Sequence, residues 1–290
     1  IHCERAYRMG LSGKGIGVAV LDTGIFLHRD FDSRVTGFAD MVNRRNFAYD
    51  DCGHGTHICG IIGGSGRMSG GRYSGIAPGC NLIMVKVLDR KGNGYSSDVL
   101  AGISWVLERK EQLGIRILNI SVGACSKRGM SENSALVKGV NRAWDAGLVV
   151  VVAAGNNGPR TMSITTPGIS RKVITVGCSD DDREVLVGGN RMVDYSGRGP
   201  TAACICKPDL VAPGCSVVSC SSRADKYTIK SGTSMSTPIV SGAVALLLER
   251  FPDMSNKDVK LRLRESSVDI GLPRNQQGWG LLDVGKMLER

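Results

Sequence analysis

The sequence predicts a doubly wound α/β protein, a mostly parallel sheet with helices on both faces in three layers. Short continuous apolar runs recur along the chain at Ile16 to Leu21, Leu82 to Val87, Ile115 to Ile120, Leu148 to Ala153 and Val173 to Val176. These runs lack polar alternation, so they read as strands buried on both faces, which is what a parallel sheet covered by helices requires. Helix-period segments over 54–63, 97–110, 133–146, 234–249 and 256–264 supply the βαβ alternation of a wound sheet. Composition points the same way: 39 glycines and only 5% aromatic residues suit many tight turns between strands and helices.

At 290 residues the chain is long enough for one large core, and no composition shift or linker divides it, so residues 1–290 read as a single domain. The longest apolar stretches, Leu148 to Ala154 and Ile239 to Leu248, fall well short of a membrane span. The formal net charge of +10 is scattered over Arg44-Arg45, Lys127-Arg128, Arg171-Lys172 and Lys260 to Arg264. Without interleaved aromatics this is a cationic surface rather than a nucleic-acid interface. No signal peptide is visible in the sequence, which starts at Ile1 without an initiator methionine.

Ten cysteines would suit a disulfide framework, yet Cys59, Cys178 and Cys215 fall where a small core residue would serve. A domain of this size needs no staples, so free thiols and a reducing compartment are expected. The expected location is therefore the cytoplasm, with secretion as the alternative. Cys204, Cys206, Cys215 and Cys220 lack paired C-x-x-C knuckles, and no metal site is expected there.

In wound sheets the chemistry gathers at the carboxyl ends of the strands. The first strand ends Val20-Leu21-Asp22-Thr23-Gly24, which puts a carboxylate there. Gly13, Gly15 and Gly17 precede that strand instead of following it, which excludes a dinucleotide fingerprint. Next, Gly53-His54-Gly55-Thr56-His57 opens a helix with glycines on both sides of His54, leaving one ring nitrogen room for a nucleophile and the other for a carboxylate. His54 and His57 lack the glutamate of an H-E-x-x-H site, so metal is not expected. Finally, Gly232-Thr233-Ser234-Met235-Ser236-Thr237-Pro238 delivers Ser234 to the first turn of a long apolar helix, where unpaired N–H groups and the helix dipole favour a developing anion. Serine at 236 breaks the G-x-S-x-G elbow of lipases and esterases.

The chain order Asp22, His54, Ser234 and these three motifs resemble the subtilisin-like serine proteases, peptidase family S8. Further blocks carry the resemblance: Asn119-Ile120-Ser121-Val122-Gly123, Ala153-Ala154-Gly155-Asn156-Asn157-Gly158, Tyr195-Ser196-Gly197-Arg198-Gly199-Pro200, Lys207 to Gly214, and Gly278-Trp279-Gly280-Leu281-Leu282-Asp283. The likeness runs from about Ala6 to Gly285 and is nearest to intracellular-type, thiol-rich bacterial members.

What the resemblance implies is a serine endopeptidase acting through an acyl-enzyme. Ser234 would be the nucleophile, His54 the base and Asp22 its orienting carboxylate, with Asn156 as an oxyanion donor. Substrate would lie between Gly92-Asn93-Gly94 and Ser121-Val122-Gly123. Ala153-Ala154-Gly155 would wall the first pocket, with Thr165 near its floor. No carboxylate accompanies Thr165 or Asn157, so a neutral or apolar residue is expected before the scissile bond. Implied partners are protein or peptide substrates and an N-terminal pro-segment that aids folding and inhibits. A narrow maturation protease built from the same residues and a non-catalytic scaffold are the alternative functions; four intact site residues argue against the scaffold. No cofactor is required for this chemistry. Calcium is the departure: secreted members fold a calcium loop after the histidine helix, whereas Gly63 to Gly75 here carries Arg67 and Arg72 without a carboxylate, and Asp30 alone matches a ligand position.

Overall fold

The computed structural model describes residues 1–123 and 132–289. Seven strands form one parallel sheet: β1 (Gly17–Asp22), β2 (Val35–Asp40), β3 (Asn81–Lys86), β4 (Ile115–Ile120), β5 (Val149–Ala153), β6 (Ile174–Cys178) and β9 (Leu210–Ala212), in the order β2-β3-β1-β4-β5-β6-β9. Two antiparallel hairpins stand outside it, β7 (Val185–Val187) with β8 (Asn190–Met192), and β10 (Val217–Cys220) with β11 (Tyr227–Lys230).

Helices cover both faces. On one lie α2 (His54–Gly63) and α5 (Thr233–Arg250), packed on each other and on the central strands, and on the other α3 (Ser96–Arg109) packs with α4 (Ala135–Asp145). Short α1 (Glu4–Arg8), α7 (Arg274–Gln277) and α8 (Val284–Met287), with α6 (Asn256–Ser266), complete the chain. The doubly wound three-layer expectation holds, and all five expected strands and all five expected helices form. Strands β1, β5 and β6 are buried at every position because helices cover both sides. No helix among the described residues is long and apolar enough to cross a membrane.

The strands that pattern does not announce are the edges and hairpins. Strand β2 carries glycine and two polar residues and is largely half-buried, as an edge allows, while β9 has only three residues. Their apolar runs are too short to separate from loop by periodicity.

The long helix α5 sets the depth of the site. Every residue from Gly232 to Leu248 is buried except Ser234, which is half-buried at the mouth of a cleft. Gly232 supplies φ +139°, which a side chain would strain, and a Cβ there would crowd Asn156 Nδ2 at 3.3 Å.

The nine described cysteines are all free thiols, and Cys125 lies outside the described residues. Cys59 and Cys178 are buried as small core residues, but Cys215 is half-buried. It lies in the segment between β9 and β10, packed against the cluster of Cys178, Val187 and Tyr195 from its edge and not enclosed within it.

Candidate active site

Three strand ends and two helix starts converge on one cleft. Asp22 ends β1, Ser121 follows β4, Ala153 ends β5, His54 begins α2 and Ser234 sits in the first turn of α5. The close approach of α2 to β1 needs two glycines: a Cβ on Gly55 would lie 2.2 Å from the Gly24 carbonyl, and one on Gly24 would lie 2.1 Å from the Tyr49 carbonyl. Thr23 ties the two segments, its hydroxyl donating to Asp50 Oδ1 at 2.9 Å and accepting the Gly55 N–H at 2.9 Å.

Asp50 is the anchor that sequence reasoning missed. Its carboxylate accepts N–H groups from Cys52, Gly53 and Thr56 and the Thr56 hydroxyl, closing the start of α2 where helix donors are unpaired. An acidic residue just ahead of a glycine-flanked helix start was the available signal. Lys86 was missed too. Its fully buried ammonium donates to the carbonyls of Thr23 and Leu88 at 2.6 and 2.8 Å and to Asp51 Oδ1 at 2.8 Å, fixing the strand ends beside the cleft. A lysine inside the apolar run Leu82 to Val87 was its signal.

Fully buried Asp22 accepts from His54 Nδ1 at 2.8 and 3.0 Å through its two oxygens, and its Oδ1 also receives the Thr23 N–H at 2.7 Å. With Nδ1–H held by a carboxylate, the ring presents Nε2 as the basic nitrogen. The His54 side chain is 23% exposed. Burial opposes its charging, but the Asp22 carboxylate outweighs burial and the pKa lies above the ordinary histidine value, with Lys230 pulling the other way. The Ser234 hydroxyl donates to the Ser121 carbonyl at 2.7 Å rather than to His54.

Asn156 follows β5 by a two-residue turn. Its Oδ1 accepts both the N–H and the hydroxyl of Thr233 at 3.0 Å, so the amide nitrogen is the end left at the cleft beside Ser234. The Thr233 hydroxyl in turn receives the Gly155 N–H at 3.2 Å.

The cleft, about 470 Å³, is lined by His54, Gly92, Ser121, Val122, Gly123, Ala153, Gly155, Asn156, Thr165 and Ser234 among the expected residues. Thr165 wedges between two chain segments: a Cβ on Gly123 would lie 2.2 Å from its Oγ1, and one on Gly155 would lie 2.4 Å from its Cγ2. The glycines are thus the room that a threonine floor demands. Ala154 is brought nearby but not into the cleft. Just past the end of β5, its side chain joins a small buried cluster with Val137, Ile164 and Ile169, while its backbone pairs with Thr165 and Val176.

Gly92, Asn93 and Gly94 border an adjoining apolar cavity of about 220 Å³, opposite Val122 and Gly123 and backed by Leu136, Val140 and Pro167. Lys230, Cys52, Lys91 and Gly188 also line the main cleft and carried no distinguishing pattern in the sequence.

Asp30 is the one residue that matches a calcium-ligand position of the family. Both Asp30 oxygens are engaged within the protein, Oδ1 by the Met68 N–H at 2.9 Å and Oδ2 by the Tyr227 hydroxyl at 2.7 Å. Its side-chain neighbours are His28 and Cys220, while the Arg67 guanidinium pairs with Asp32 at 3.3 Å. His57 turns away from the cleft, its Nε2 donating to the carbonyls of Val217 and Thr228 at 3.1 and 3.2 Å.

Comparison with known proteins follows this geometry. The family model described as the Subtilase family matches residues 13–280. The serine protease AprX of Bacillus subtilis (strain 168) is 42% identical over 285 residues, covering 92% of this chain and 64% of that protein. The chain therefore spans less than two thirds of that relative's length. Subtilisin DY of Bacillus licheniformis is 32% identical over 286 residues, covering 98% of this chain and 94% of that protein. Among solved structures, sphericase superposes with a TM-score of 0.78 at 31% identity, over 94% of this chain and 93% of that one. A cold-adapted subtilisin-like serine proteinase gives 0.74 at 29% identity, over 94% and 88%.

Proposed function

The chain belongs to the subtilase family, and from that premise we propose that it is a serine endopeptidase hydrolysing peptide bonds through Asp22, His54 and Ser234. One observation carries the reading: a buried carboxylate gripping Nδ1 of a partly exposed histidine, in one cleft with the only accessible residue of an otherwise buried helix start.

Ser234 rotates from the Ser121 carbonyl toward His54 Nε2, passes its proton there and attacks the scissile carbonyl. His54 then protonates the leaving amine, and water repeats the sequence on the acyl-enzyme. Asp22 holds the tautomer and stabilises the imidazolium. The oxyanion takes hydrogen bonds from Asn156 Nδ2 and the Ser234 N–H, donors already oriented before charge develops.

Substrate lies extended along Ser121, Val122 and Gly123 and against Gly92, Asn93 and Gly94. A neutral or apolar side chain enters the pocket floored by Thr165, and a second apolar side chain fills the cavity backed by Leu136 and Val140. An N-terminal pro-segment as folding aid and inhibitor, a cytoplasmic location and folding without calcium at Asp30 belong to the same reading. Nine free thiols and the engaged Asp30 carboxylate support the last two.

Intact-mass analysis after a phosphonylating serine-hydrolase reagent tests the assignment. A single adduct mapped to Ser234, and lost in Ser234→Ala, is expected. No adduct on folded protein overturns it.

A further inference from the structure

Behind the nucleophile turn lies a cluster that the hydrolytic chemistry does not use. Cys178 ends β6, buried, and Cys215 is half-buried on the loop after β9. Their sulfurs, with Asp180, offer ligand atoms that all lie within 4.8 Å of one another. The fully buried Tyr195 hydroxyl touches both sulfurs, Cys178 at 3.2 Å and Cys215 at 3.1 Å, and reaches the Gly214 carbonyl at 3.4 Å.

We propose that Cys178 and Cys215 form a peroxide-responsive dithiol whose disulfide disturbs the support of the Ser234 turn. A metal ion is the other occupant such a set could take. Against it, Asp180 Oδ1 already accepts the Gly214 and Cys215 N–H groups at 2.7 and 3.2 Å and the Cys178 thiol at 3.1 Å, so ligation would cost the loop its anchor. Oxidation needs no such sacrifice. The accessible sulfur is Cys215, and the proximity of Cys178, against the cost of burial, and then of the Tyr195 hydroxyl holds its thiol below the ordinary range.

The step balances with hydrogen peroxide as oxidant. The Cys215 thiolate attacks one peroxide oxygen, the O–O bond breaks, and the departing hydroxide takes a proton to leave as water and Cys215 sulfenic acid. Cys178 sulfur then attacks the sulfenic sulfur, its proton leaving with the expelled hydroxide as a second water. Two thiols and one peroxide give one disulfide and two waters.

The link to the active site is short. The Gly214 carbonyl accepts the Gly232 N–H at 3.0 Å, and the Ser216 N–H donates to Ser231 Oγ at 2.9 Å, so this loop braces the residues just ahead of Ser234. An S–S bond of about 2.05 Å draws Cys215 inward. Tyr195 then loses both thiol partners and is left with the Gly214 carbonyl, in competition with Gly232. Slower acylation of Ser234 is the consequence.

The experiment exposes the protein, Ser234→Ala included, to hydrogen peroxide, blocks remaining thiols with N-ethylmaleimide and maps linked peptides by mass. A 178–215 linkage reversible by dithiothreitol is expected, absent in Cys215→Ser, with Ser234 phosphonylation slowed on oxidation and restored on reduction. Linkage elsewhere, such as Cys204 to Cys206, or oxidation of Cys215 to sulfinic acid with Cys178 still alkylatable, overturns the dithiol. Linkage with unchanged phosphonylation overturns its coupling to the nucleophile. Stoichiometric zinc held by wild type and lost in Cys215→Ser assigns the cluster to metal and also overturns it. Mapping in Ser234→Ala reads the linkage whether or not the chain is a protease.

Discussion

Thr233 grips the side chain of Asn156 twice, its N–H and its hydroxyl both meeting Oδ1 at 3.0 Å. A backbone N–H can only donate, so the amide oxygen must face Thr233 and the amide nitrogen must face the cleft. The orientation of the proposed oxyanion donor is thus set by the residue that precedes the proposed nucleophile.

Asn156→Ala is expected to fold normally and to lose about 10²–10³ in kcat with little change in KM, the magnitude found for such a donor in a subtilisin. Thr233→Ala keeps the N–H grip and loses the hydroxyl, so its loss is smaller and falls on kcat, with Thr233→Ser restoring activity. Steady-state kinetics on one peptide substrate decide this; a pure KM effect in Thr233→Ala would exclude the positioning role.

Activity requires His54 neutral, and burial, outweighed by Asp22, leaves its pKa above the ordinary value of about 6.5. Rate therefore falls as pH drops through that raised pKa. Lys230, which lines the same cleft, lowers it. In Lys230→Ala the acid limb of the kcat/KM profile moves to higher pH, and further in Lys230→Glu. An unmoved limb in both variants would remove Lys230 from the electrostatics of the site.

A methyl group at position 123 would sit 2.2 Å from Thr165 Oγ1. Gly123→Ala should therefore narrow the first pocket, at a cost of about 1–3 kcal/mol in kcat/KM for large apolar side chains and less for small ones. Thr165→Ala in the same chain relieves the clash and recovers much of the loss. Equal losses for large and small side chains would point to a backbone shift instead.

His57 is fully buried with its Nδ1 unpartnered, and burial first, then the neighbouring charges, lower its pKa to about 3. The unfolded chain binds this proton below about pH 6.5 while the folded chain refuses it, so stability falls as pH drops from there toward 3. In His57→Gln, which can still donate to Val217 and Thr228, urea unfolding across this range should lose that dependence, about 1.4 kcal/mol per pH unit at its steepest. Identical pH dependence in both proteins would refute the assignment.

The central strands and the longer helices were legible in the sequence because those strands are largely apolar runs and each helix carries its period, signals that local burial imprints on residue order, whereas the edge strands β2 and β9 carry no such run. The proposed site residues stand out in the sequence because their chemistry demands particular neighbours: glycine beside His54, a carboxylate at a strand end, a small-residue turn before Ser234. Residues that act through long-range contact do not. Lys86 meets Thr23 across 63 positions, and Thr165 meets Gly123 and Gly155 by side-chain volume alone. Cys178 and Cys215 lie 37 positions apart by number and share one tyrosine hydroxyl. Adjacency of that kind follows from strand order and loop closure, which packing decides and residue order does not announce. By itself the sequence determined the wound sheet and the motifs of the proposed triad; only the tertiary structure decided which cleft they share, which donor faces it and what lies behind Ser234.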